Sequence, residues 1–357
     1  MLKSRLANAL ALLFCLCVST CPANAQAPET HVVPVTVVTT DGKPVTSLQS
    51  QNIRVREHGV QVKSFSLDAG PRRIVLLMDI SGSMGTTDHG KLRLIVALEL
   101  MKLFLNSVSK GNSLSLYQFG DSPREIVPFT HDVDAIRQAI DSVSALRENE
   151  MVGLTNIGDA LNAILMNSQE PLAFGDSIVM FTDGEFNSDN GKQHAFSSFA
   201  PALARRGVRV FLVLTQERGT TLGGAQNDST SVRQAPPASS HLPIRGQFSV
   251  PASDGEMAVI NDSELFAAGT GGESFAPFDY SSTFQTSKVF RSDDLPQRMK
   301  ALSAAVQNTY RLEMQFSKPL NRKIRLHLEV MDEQSKALHN VTVLSPDFVY
   351  PDAGARH

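Results

Sequence analysis

Apolar and polar positions alternate near both ends of this chain, whereas its middle contains uninterrupted apolar runs, and the contrast predicts two kinds of sheet. In residues 31–65, Val33, Val35 and Val37 share one face, Asp41-Gly42-Lys43-Pro44 forms a turn, and Ile53-Arg54-Val55-Arg56 alternates before a second turn at His58-Gly59. A small β unit is the expectation. Ile74-Val75-Leu76-Leu77-Met78 is instead apolar throughout, as in a strand covered on both faces of a parallel sheet. Residues 91–109 read as a helix, with Lys91, Glu99, Lys102 and Asn106 on its polar side. A strand at 114–119, helices at 133–143 and 156–166, a buried strand at 178–181, a helix at 195–206 and a strand at 208–214 follow. Strands alternating with helices predict an α/β fold with a doubly wound, mostly parallel sheet.

Residues 216–261 are rich in Gly, Ser, Pro, Asn and Gln without periodicity, and they read as a long insertion. The pattern resumes with a short helix from 263 that ends at Gly271-Gly272 and a last helix over 293–307. Strands at 310–316 and 324–331 return to β structure. Since β segments flank the α/β region on both sides, they are expected to pair with each other in one small domain. The resulting map is a signal peptide at 1–25, an N-terminal β segment at 26–70, an α/β domain at 71–309 carrying the insertion, and a C-terminal β segment and tail at 310–357.

The signal peptide follows from the basic start at Lys3 and Arg5, an apolar stretch over 6–18 too short to span a bilayer, and Ala23-Asn24-Ala25 as a cleavage site. An exported, periplasmic or secreted protein is expected, with lipid attachment at Cys21 as the lesser alternative. All three cysteines precede residue 26, so the mature chain carries no disulfide and depends on its core. Cleavage removes two cations and no acid, which shifts the net charge from -3 to -5. With no basic tract, nucleic acid is not an expected partner, and no later apolar run reaches membrane-spanning length.

The candidate chemistry begins where the first buried strand ends, at Asp79-Ile80-Ser81-Gly82-Ser83. Open α/β sheets place ligands at this carboxyl edge. Alternate residues there can aim one carboxylate and two hydroxyls at a common centre, and hard oxygen donors suit magnesium or manganese better than zinc or copper. Thr155, which opens a helix, and Asp183, which ends a strand, bring the same chemistry to the same edge. Thr155 is equally a candidate helix N-cap.

Asp79, Ser81, Ser83, Thr155 and Asp183, in this order, match the metal-ion-dependent adhesion site of von Willebrand factor type A domains, which the segment from 74 to about 307 resembles. The flanking β segments extend the resemblance to exported bacterial relatives of that family. It implies that Ser81, Ser83 and Thr155 supply oxygens near a divalent cation, magnesium first and manganese or calcium as alternatives. Asp79 and Asp183 then act directly or through water. It further implies a binding module without enzymatic activity, whose metal takes an Asp or Glu carboxylate from a protein partner. Two other functions stay open: a scaffold with a purely structural metal, and a serine hydrolase using Ser83, because Ser81-Gly82-Ser83-Met84-Gly85 superficially resembles a nucleophile elbow. Neither the partner nor the oligomeric state is readable.

Overall fold

The computed structural model describes residues 28–68, 70–88, 91–143, 153, 155–184, 198–215, 265–275 and 294–351. The expected signal peptide and the insertion at 216–261 lie outside them. In chain order, the first segment gives β1 (Glu29–Thr39), β2 (Ile53–Val55) and β3 (Val60–Asp68). The middle gives β4 (Arg73–Asp79), the two-residue strands β5 (Thr87–Asp88) and β6 (Lys91–Leu92), α1 (Arg93–Leu105), β7 (Ser113–Phe119), β8 (Arg124–Thr130), α2 (Val133–Val143) and α3 (Ile157–Met166). It continues with β9 (Ser177–Thr182), α4 (Ala200–Arg206), β10 (Arg209–Leu214), β11 (Ser274–Phe275) and α5 (Leu295–Gln307). The last segment gives β12 (Thr309–Phe316), β13 (Ile324–Arg325), β14 (Leu328–Val330), β15 (Val341–Leu344) and β16 (Phe348–Val349).

Six strands form the central sheet in the order β11-β10-β9-β4-β7-β8, all parallel except the edge strand β8. Because side chains alternate across a strand, Ile74, Leu76 and Met78 pack with α1, α2 and α5, and Val75 and Leu77 pack with α3 and α4 on the opposite face. Both faces are covered, which explains the continuous apolar runs. The chain winds outward from β4 through β7 and β8, then returns to β4's other side with β9. The crevice at the carboxyl ends of β4 and β9 is therefore the topological switch point, where such sheets bind ligands.

The flanking segments do pair. β15-β1-β12-β3 is an antiparallel sheet, and β14 pairs with β2. Its core holds Val33, Val35, Val37, Phe65, Tyr310 and Leu312. The rings of Phe65 and Tyr310 stack at 4.4 Å between centroids.

Several local expectations are corrected. Lys91 and Leu92 belong to the β5–β6 ribbon and not to the helix, because Leu92 is the extended N-cap residue and Arg93 N–H donates to Thr86 O at 3.0 Å. The helix expected from 195 begins at Ala200, with Pro201 in its first turn, where a missing N–H costs nothing. The single strand expected at 324–331 is two: β13 pairs with β16 and β14 with β2, and between them Leu326 N–H donates to Asp347 O at 2.8 Å. β8 went unread because it is a half-exposed edge strand with Pro128 and no clean alternation.

Candidate metal centre

Asp79 is the last residue of β4, and Asp183 is the first residue after the neighbouring β9. Both are buried, at 0% and 1% exposure. Asp79 is held at both oxygens: Oδ1 accepts from Ser81 N–H at 2.9 Å and Oδ2 from Thr182 Oγ1 at 2.6 Å. Ser81 is extended and opens a short 3-10 turn over Gly82–Gly85, in which Met84 N–H donates to Ser81 O and Thr86 N–H to Ser83 O, each at 3.0 Å. That turn brings Ser81 Oγ and Ser83 Oγ within 3.1 Å of each other. Two hydroxyls thus stand together beside a buried carboxylate.

The third loop is tied to the first by main chain, since Gly82 N–H reaches Gly153 O at 3.5 Å. Gly153 has φ 112°, and a Cβ there would lie 2.1 Å from Asp121 Oδ1, so only glycine fits. Thr155 follows two residues later and is 3% exposed. It is not the helix N-cap: Asn156 takes that role, its side chain accepting from Asp159 N–H at 3.2 Å. The Thr155 hydroxyl is therefore not committed to capping α3.

Two participants were not foreseen in the sequence. Thr182 orients Asp79, and its Oγ1 also accepts from Gly184 N–H at 3.1 Å. Arg93 Nη1 donates to Asp183 Oδ2 at 2.9 Å, and both side chains are buried. The signal for Thr182 is a polar residue that ends the apolar run 178–181. For Arg93 it was a cation on the face shared by Ala97, Leu100 and Phe104, all buried.

The electrostatics indicate what the site accepts. Burial, reinforced by the negative charge of Asp183, raises the Asp79 carboxyl to about 7. Arg93 offsets part of the charge of two carboxylates in low dielectric, and the remainder, with neutral hydroxyls beside it, favours a further cation. Hard oxygens in this number suit a magnesium-like ion that keeps some of its waters, and thus the residues fit the group.

A pH dependence follows. A carboxyl whose pKa is raised on folding binds more protons in the folded than in the unfolded state between the two values. The contribution of Asp79 to the stability of the metal-free protein is therefore expected to fall as pH rises from 3.8 toward about 7, then to level off. Magnesium favours the ionised pair and should stabilise most above that range. Thermal melts of wild type and Asp79→Asn in chelator, at about pH 5 and about pH 8, check this; a wild type that does not lose stability relative to Asp79→Asn as pH rises contradicts it.

Residues 74–185 match the model of the von Willebrand factor type A domain. The chain is 32% identical over 140 residues to von Willebrand factor A domain-containing protein 5A of Mus musculus, an alignment covering 35% of this chain and 17% of that protein. The counterpart from Rattus norvegicus is 31% identical over the same length, with the same coverage. Among solved structures, the chain is similar to an aerotolerance-related membrane protein from Bacteroides fragilis, with 18% identity, 66% of this chain and 98% of that chain covered, and a TM-score of 0.41. It is also similar to the manganese-loaded TRAP protein of Plasmodium vivax, with 18% identity, 52% and 61% coverage, and a TM-score of 0.33. Among the described residues, no helix is long and apolar enough to cross a membrane.

Proposed function

We propose, from the premise that residues 74–185 carry a von Willebrand factor type A domain, that the chain is a metal-dependent protein-binding module with no catalytic role. Asp79, Ser81, Ser83, Thr155 and Asp183 hold one divalent cation, magnesium first among the candidates, and the cation takes a carboxylate from an Asp or Glu of a protein partner. The observation that carries this reading is the meeting of two buried carboxylates and an adjoining pair of serine hydroxyls at the switch point of the sheet. Such a donor set would leave a dication some of its waters, and thus a position open to an incoming carboxylate. Ser83 Oγ lies beside Ser81 Oγ, a hydroxyl and not a general base, which favours a ligand role over a nucleophilic one.

The test uses manganese as a paramagnetic probe and acetate as a carboxylate probe. Manganese-loaded protein should enhance water-proton relaxation, and acetate should reduce that enhancement as it displaces a bound water. Enhancement that acetate leaves unchanged would assign the metal a structural role only.

A further inference from the structure

Arg93 is the first residue of α1, at the positive end of the helix dipole, where a cation is locally unfavourable. It is 7% exposed, in line with buried Ala97, Leu100 and Phe104, so its charge is taken out of water as well. Neither cost serves the helix. What the placement does achieve is the 2.9 Å contact with Asp183 Oδ2. The guanidinium sets one positive charge against the two carboxylates Asp79 and Asp183, so a dication bound beside them meets a less negative centre than the two acids alone would make.

We propose that Arg93 is a resident counter-charge of the metal centre, a positioning residue that weakens the hold on the cation and makes the loaded site more positive, favouring an acidic group. This rests on the reading of the site as a cation site and adds to it the charge that tunes it. Without Arg93 the loaded centre would carry one positive charge less. The cation would then bind more tightly and attract an external carboxylate less.

The experiment compares full-length wild type, Arg93→Gln and Arg93→Lys by calorimetry with magnesium alone and by thermal melting in chelator and in magnesium. Arg93→Gln is expected to bind magnesium about tenfold more tightly than wild type, or better, and to gain more thermal stability from it. Arg93→Lys keeps the charge and should stay within about threefold of wild type. If Arg93→Gln is unfolded in chelator, recovery of its circular dichroism in magnesium supports the inference. Unfolding that persists in magnesium overturns it, because the guanidinium is then needed for the fold whatever the site holds. Equal or weaker magnesium binding by folded Arg93→Gln also overturns it, as does tightening by Arg93→Lys. A wild type that takes up no magnesium removes the cation site itself, an outcome visible before any variant is compared.

Discussion

Asp79→Asn is expected to lower magnesium affinity about a hundredfold while the protein stays folded. The substitution keeps the side chain's shape and leaves an oxygen to accept from Ser81 N–H, but it replaces the acceptor of the Thr182 hydroxyl with an amide donor and removes one of the two buried negative charges. Coulomb attraction in a desolvated site is strong, so losing one carboxylate dominates over any change in packing. Stability moves in the other direction. Burial and the charge of Asp183 both oppose ionisation of Asp79, which offsets the lost hydrogen bond from Thr182, so in chelator near neutral pH the neutral amide should melt close to wild type. Calorimetry with magnesium and manganese reads the first effect, and melting in chelator reads the second. An affinity loss below about tenfold would mean that Asp79 is not a determinant of the site.

The second large effect concerns the fold that carries the site. Arg209 opens β10, is 0% exposed, and donates to Thr36 Oγ1 at 2.5 Å, Ala305 O at 3.2 Å, Val306 O at 2.9 Å and Thr309 Oγ1 at 2.5 Å. Two of these acceptors are carbonyls of the last turn of α5, whose dipole favours a cation there. The other two belong to β1 and β12 of the flanking sheet. One buried guanidinium thus fastens the end of α5 and the antiparallel sheet to the central sheet. Burial, with the charge of Arg72, lowers its pKa to about 9, so it remains charged at neutral pH. Arg209→Met fills similar space but leaves buried carbonyls and hydroxyls without their donor, and a loss of about 3–5 kcal/mol is expected. Chemical denaturation measures it, with amide exchange across β1 and β12 reporting where protection falls. A change below about 1 kcal/mol would show that the neighbouring groups find other partners.

How far these features were legible follows from the range over which each is encoded. β4 and β9 declared themselves because a strand covered on both faces is apolar along its interior, here residues 74–78 and 178–181. Asp79, Ser81 and Ser83 share one turn, so their spacing alone places them together, and Thr155 and Asp183 are marked by the helix and strand that they adjoin. Arg93 and Arg209 were passed over because each sits in an apolar stretch where one cation reads as an exposed exception. Their partners lie 90 residues away or more, for Arg93 with Asp183 and for Arg209 with Ala305, Val306, Thr309 and Thr36. Such pairing has no local signature. The same holds for 324–331, whose alternation is regular yet whose backbone changes partner from β16 to β2 midway.

The central claim is that the five oxygen-bearing residues at the sheet's switch point hold one divalent cation. Anomalous scattering from a crystal soaked in manganese tests it most directly. A single strong peak is expected within bonding distance of Ser81 Oγ and Ser83 Oγ, with Thr155 Oγ, Asp79 and Asp183 reaching it directly or through one water. No peak at the carboxyl ends of β4 and β9, or a peak bonded to other residues, would contradict it.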